Sequence, residues 1–133
     1  MEKKNSENFY ADQLIIPDSI DGIVRKITSK MKPEKIILFG SYASGNVSKD
    51  SDIDLLIIMN TDLLPAERQR QVSRLLYPRI APLDIVVKTP GEILKSQENV
   101  DPFINEILHN GIVLYARPLM KYKAGYKKPR RIF

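Results

Sequence analysis

Two carboxylates stand at the mouth of an apolar run, Asp52 and Asp54 in "KDSDIDLLIIM". On a strand, residues two apart project from one face, roughly 7 Å apart along the backbone, while the residue between them, Ile53, points into the core. Carboxylates so placed repel each other unless a cation lies between them. A hard cation with a preference for oxygen suits the position, and Mg2+ usually takes one or two carboxylates together with substrate phosphates. A third carboxylate, Asp84, opens a later apolar run in "PLDIVVK", and reaches the same end of a sheet if the two strands are neighbours. Three aspartates at two strand mouths are the minimum for a pair of metals about 3.5–4 Å apart. In such a pair one metal holds a triphosphate and the other lowers the pKa of an attacking hydroxyl, with Asp84 placed to help take its proton.

Ten residues separate Asp52 from Ser41, whose pair Gly40-Ser41 ends an earlier apolar run in "KIILFGSYASG". Glycine lets a phosphate approach the backbone, N–H groups at a helix start donate to it, and the Ser41 hydroxyl adds a further donor. Gly45 and Asn46 let the intervening loop bend back towards Asp52. Each feature alone is commonplace, since Asp often caps a turn through its own backbone. The combination, set between two apolar strands with Asp84 downstream, points to a nucleotide site. His109, the single histidine, falls in the last turn of a helix, where a partial positive charge is structurally favourable. Arg68, Arg70, Arg74 and Arg79 read as a mostly solvated face, one of them available to a phosphate or an acidic partner.

The elements that must position these groups follow from periodicity. Ile20, Ile23, Val24, Ile27 and Met31 recur at three- and four-residue steps, predicting a helix from Asp18 that Pro33 ends. Strands are expected at Lys35 to Phe39, Ile53 to Met59 and Leu83 to Lys88, the second apolar enough for burial on both faces. Between the last two lies a helix with Pro65 near its first position, stopped by Pro78. Thr89 to Glu92 has the spacing of a capping box and predicts a short helix. Asp101-Pro102 starts another, with Ile104, Ile107 and Leu108 inward and Asn110-Gly111 as a left-handed cap. Ile112 to Tyr115 adds a small fourth strand. The expected fold is α+β in α/β layers: a small mixed sheet of three to four strands flanked by helices.

At 133 residues the chain reads as one domain with a sizeable core. No apolar stretch is long enough to span a bilayer, and "MEKKNSENFY" lacks the apolar middle of a signal peptide. The absence of cysteine fits a reducing, cytoplasmic setting. The net charge of +5 is unevenly spread. Seven of the 21 basic residues lie in 117–133, where there is no acid, so 14 basic residues face 16 acidic ones in 1–116, a net charge of −2. The division is therefore a polar arm (1–17), a globule (18–116) and a basic tail (117–133). Tyr115, Tyr122 and Tyr126 interleave with the tail's cations, compatible with RNA or an acidic protein surface as partner, or with a solubilising tail that binds nothing.

"GSYASGNVSKDSDID" with the later "LDIVV" resembles the nucleotidyltransferase superfamily related to DNA polymerase β. The Ser41–Asp52 spacing and the ending "INEILHNGIVLY" are most similar to its minimal nucleotidyltransferases (MNT proteins). The resemblance covers about residues 18–116. It implies the polymerase β-like fold, ATP with Mg2+, transfer of AMP to an acceptor hydroxyl, phosphate contact by Gly40 and Ser41, and metal held by Asp52, Asp54 and Asp84. Many family members pair with a HEPN-domain RNase toxin and silence it by adenylylating a tyrosine, which implies a hetero-oligomer. Family members often carry a basic residue where this chain has Ser44, and Lys49 is the nearby candidate to replace it. Two alternatives stand beside this expectation: a binding module that neutralises its partner by occlusion, and a transferase acting on a small molecule of the aminoglycoside kind.

Overall fold

The computed structural model describes residues 18–78 and 81–118; the arm, Arg79 and most of the basic tail lie outside them. In chain order the elements are α1 (Asp18–Lys30), β1 (Lys35–Phe39), α2 (Ser41–Ser44), β2 (Ile53–Ile58), α3 (Pro65–Leu75), β3 (Leu83–Lys88), α4 (Pro90–Glu98), α5 (Pro102–Asn110) and β4 (Ile112–Ala116). The strands form one sheet in the order β3-β2-β1-β4. β1 runs antiparallel to β2 and β4, whereas β2 and β3 are parallel, so the sheet is mixed, as expected.

Alternation along the strands divides the core into two layers. Ile36, Leu38, Ile53, Leu55, Ile57, Ile85 and Val87 face one way and pack with Ile20, Ile23 and Ile27 of α1 and Val72 of α3. Ile37, Leu56 and Ile58 face the other way, against Ile93 of α4 and Ile104, Ile107 and Leu108 of α5. β2 is buried on both faces at every position but Asp54. At about 1.5–3 kcal/mol for each fully buried aliphatic side chain, this strand fixes the sheet on which the carboxylates ride.

The helix ends follow local chemistry. Thr89 and Glu92 close the expected capping box, and Asp101 caps α5 through the Phe103 and Ile104 N–H groups. Gly111 departs from expectation: its φ of −73° is extended, not left-handed. What it supplies is closeness. A Cβ there would stand 2.5 Å from the Ile107 carbonyl and 2.6 Å from Ile37 Cγ2, so glycine lets β4 begin flush against β1 and α5. The left-handed position falls instead at Val100, φ 55°. Its N–H reaches the Gln97 carbonyl (3.2 Å) and the Asp101 N–H reaches Ser96 (2.9 Å), the paired bonds of a Schellman closure.

Arg68 also departs from the solvated face. It is buried, its Nε donates to the Leu63 carbonyl (2.8 Å), and Nη1 donates to the Val87 carbonyl (3.2 Å). Nη1 and Nη2 form a fork on Glu92 at 2.8 and 3.1 Å. Since Glu92 also accepts from the Thr89 N–H at 3.0 Å, one guanidinium ties α3 to the end of β3 and the start of α4. Arg117, the first residue of the basic tail, pairs with Glu34 at 3.3 Å. Tyr115 packs on the core from β4, so it is not part of a free aromatic-basic segment.

Two stability predictions follow from these positions. Val100→Gly is expected to stabilise by about 1 kcal/mol, because a β-branched residue is strained in the left-handed region; a thermal melt that fails to rise contradicts it. The hydrogen bond from Arg68, chiefly, holds the Glu92 carboxyl below its ordinary 4.5. A depressed folded pKa means the stabilisation is fully present above that value and is lost as pH falls through the folded one. The advantage of wild type over Glu92→Gln in urea melts is therefore expected to be full at neutral pH and to be lost progressively as pH falls below the ordinary carboxylate range.

Candidate active site

β2 and β3 run in the same direction and in register, so Asp54 lies directly opposite Asp84. Both occupy the face shared with Leu56 and Val86, the α4–α5 side. Because the strands are parallel, both carboxylates also sit at one rim of the sheet. β1 is antiparallel, with Phe39 opposite Asp54, so its C-terminal end, and with it Gly40-Ser41, arrives at that rim. Asp52 precedes β2 on the exposed side. The topology thus gathers Gly40, Ser41, Asp52, Asp54 and Asp84 from three segments of the chain.

The electrostatics are those of crowded like charges. The Asp54 carboxyl is pushed above its ordinary range, first by burial, then by the negative charge of Asp84, then by that of Asp52. A cation between Asp54 and Asp84 removes that repulsion. Among the described residues no three His, Cys, Asp or Glu side chains close into a single metal-holding cluster. The donor set present fits the magnesium habit of one or two carboxylates completed by phosphate oxygens and water, with the Asp52 charge felt at Asp54.

Gly40 has a structural role of its own. Its φ is +76°, and a Cβ built on it would fall 2.0 Å from Asp54 Oδ2 and 3.0 Å from Cγ. The bare Cα is the seat against which the Asp54 carboxylate rests. The sequence signal was a glycine placed immediately after a strand, but its partner emerges only from the β1–β2 register. The chain then turns into the single turn of α2, where the Ala43 and Ser44 N–H groups return to the Gly40 carbonyl at 3.1 and 3.0 Å. A turn this short leaves the Ser41 and Tyr42 N–H groups unused by its own helix.

A cavity of about 320 Å³ is lined by Gly40, Ala43, Ser44, Phe103, Glu106 and Asn110, among others. Phe103 meets Phe39 edge to face at 5.7 Å between centroids, which places the first turn of α5 over the end of β1. Ser44 bonds within its own turn, to the Ser41 carbonyl at 3.3 Å. Lys49 lies exposed on the loop that leads to Asp52. His109 is bonded through Nδ1 to the Asn105 carbonyl at 3.0 Å, a helix-end role as expected.

Known proteins share sequence and fold with this chain. The model of a family described as polymerase beta, nucleotidyltransferase, matches residues 22–118. Over 108 residues the chain is 29% identical to a Methanocaldococcus jannaschii protein named "Putative protein adenylyltransferase MJ0604", covering 81% of this chain and 97% of that one. A second protein of that organism, "Putative protein adenylyltransferase MJ0141", is 30% identical over 84 residues, 62% of this chain and 80% of its own length. The crystal structure of a putative nucleotidyltransferase from Sulfolobus solfataricus superposes with a TM-score of 0.56 at 22% identity, covering 88% of this chain and 93% of that one; at that identity the likeness concerns the fold.

Gly40→Ala is expected to displace the Asp54 carboxylate and so lower magnesium-dependent nucleotide turnover about 100-fold. The accompanying stability loss should be about 1–3 kcal/mol, because φ +76° with ψ −152° lies in a region that glycine alone enters freely. Turnover within threefold of wild type, on protein whose melt shows it folded, would remove Gly40 from this role.

Proposed function

This chain belongs to the polymerase β nucleotidyltransferase family, and on that premise we propose that it transfers AMP from Mg-ATP to a protein hydroxyl. The acceptor is proposed to be a tyrosine of a HEPN-type RNase toxin, which makes the chain an antitoxin working within a hetero-oligomer. The observation that carries the chemistry is the register pairing of Asp54 with Asp84 beside the Gly40-Ser41 turn. Two names support the protein acceptor, since both curated relatives are called protein adenylyltransferases. The likeness of the Gly40–Asp54 segment and of "INEILHNGIVLY" to the MNT proteins supports the toxin partner.

The transferring unit in this reading is residues 18–116. Gly40 gives room for a phosphate, Ser41 donates its hydroxyl to a phosphate oxygen, and the Ser41 and Tyr42 N–H groups, unused by the α2 turn, are further candidate donors. Asp52, Asp54 and Asp84 are the residues that would hold Mg2+, Asp54 and Asp84 as the inner pair and Asp52 beside them. When bound, the cation supplies Lewis-acid stabilisation of the charge that builds on the phosphoryl oxygens. The acceptor oxygen attacks the α-phosphorus in line, the new O–P bond forms as the bond to pyrophosphate breaks, and Asp84 is placed to receive the hydroxyl proton. Asp54, held against Gly40, keeps the pair in one geometry throughout.

The test uses the full chain, a purified HEPN partner and ATP labelled at the α-phosphate. Asp54→Asn and Asp84→Asn are each expected to lower label transfer by about 1000-fold or more, the scale of losing a principal electrostatic group. Removing magnesium with EDTA should have the same effect on wild type. Undiminished transfer by the Asp54→Asn, Asp84→Asn double variant would refute the assignment.

A further inference from the structure

Among the described residues β3 is an edge strand, paired only with β2. Its ladder is bracketed by the Ile53 N–H on the Pro82 carbonyl (2.9 Å) and the Met59 N–H on the Lys88 carbonyl (3.0 Å). In a parallel pair alternate residues carry the bonds, so positions 82, 84, 86 and 88 turn their backbone groups towards β2. Leu83, Ile85 and Val87 turn theirs outward. The Val87 carbonyl is taken by Arg68 Nη1 at 3.2 Å, whereas no hydrogen bond among the described residues covers the outward groups of Leu83 and Ile85. Alongside them runs a hollow of about 70 Å³, bordered by Gln69, Ser73 and Leu76 of α3 and by Leu83, Asp84 and Ile85. Asp84 stands between the two open residues, exposed, on the face it shares with Asp54.

We propose that this open edge is where the acceptor docks: an extended peptide segment pairs antiparallel with Leu83–Ile85 and sets a tyrosine opposite Asp84. The inference rests on the nucleotidyl-transfer reading above and names how that site receives its acceptor. In an antiparallel pair, residues directly opposite share a face and alternate between bonded and unbonded. The two peptide residues flanking the tyrosine exchange N–H···O bonds with Leu83 and Ile85. The tyrosine's own backbone groups point away from β3, and its side chain stands on the carboxylate face.

Reach selects the side chain. Neighbouring strands lie about 4.8 Å apart, so the acceptor backbone is one spacing from Asp84 and two from Asp54. A phenol spans that gap to a phosphorus held over the pair, where a seryl hydroxyl stops short. The phenolic oxygen forms its bond to the α-phosphorus, pyrophosphate leaves with the broken bond, and the proton passes to Asp84. Arg68 closes the groove at the Val87 end, which confines pairing to two residues of β3. Binding through so few main-chain bonds is weak and reversible, as a released product requires.

The experiment leaves the protein unaltered and changes the peptide backbone. The full chain, Mg-ATP labelled at the α-phosphate and a pool of end-blocked heptapeptides with a central tyrosine and Val or Thr flanks give the reference rate. Backbone N-methylation of both residues flanking the tyrosine is expected to raise KM about 10-fold or more, the loss of two hydrogen bonds of about 1 kcal/mol each, with kcat within about twofold. Methylation of the tyrosine nitrogen, which faces away from β3, should leave KM within about threefold. Equal effects of the two modifications, a larger effect at the tyrosine, or no labelled peptide at all overturns the edge proposal. So does a dimer in sedimentation with the Leu83 and Ile85 amides protected from exchange, which would show the edge occupied by a second copy. Calorimetry of Mg-ATP binding separates the two levels: binding without peptide labelling sinks the edge alone, whereas no binding sinks the nucleotide reading beneath it.

Discussion

Two like charges on adjacent parallel strands, held in register, are the constraint around which this small domain is arranged. Asp54 and Asp84 face each other across β2 and β3, and neither has an arginine or lysine among its described salt-bridge partners. At a solvated rim the repulsion between unit charges is on the order of 1 kcal/mol or a few. The aliphatic residues that continue each strand inward outweigh it. Ile53, Leu55 and Ile57 on one face and Leu56 and Ile58 on the other are all buried, so the strands cannot drift apart to relieve the charge. The charge therefore stays concentrated at the rim, and burial together with that charge holds the Asp54 carboxyl above its ordinary range.

Much of this was legible in the residue order. The strands at Lys35–Phe39 and Leu83–Lys88 lie where the apolar runs place them, because short runs of β-branched and aliphatic residues bounded by turn formers leave few alternatives. The capping box at Thr89 and the Asp101 cap were readable for the same local reason. What resisted was everything set by pairing. No local signal states that β2 and β3 are parallel while β1 and β2 are antiparallel, yet that difference brings Gly40, Asp54 and Asp84 to one rim. Gly40 reads as a phosphate-friendly turn, and only the β1–β2 register reveals the carboxylate leaning on it. Gly111 reads as a left-handed cap because the helix ends there, but the demand is steric, imposed by Ile37 from a strand over seventy positions earlier in the chain. Arg68 sits among exposed arginines in sequence, and its burial depends on Glu92 and the Val87 carbonyl arriving from the next strand and helix.

The polar interior is correspondingly spare. Arg68 is the one buried charged side chain among the described residues, and it satisfies two backbone carbonyls as well as a carboxylate. Removing one partner of such a group strands the others, which is why buried charges are commonly fully bonded. Here it also terminates the free edge of β3. The same residue thus makes the far end of that strand rigid and leaves the end near Asp84 open.

The loop between Gly45 and Ser51 is exposed along nearly its whole length and is braced by its own serines, the Ser48 N–H on Ser51 Oγ at 2.8 Å. Neither Asp54 nor Asp84 is positioned by it, because ladder spacing and register hold both. Insertions and deletions in this segment can therefore accumulate without detuning Asp54 and Asp84, and its surface is at liberty to diverge.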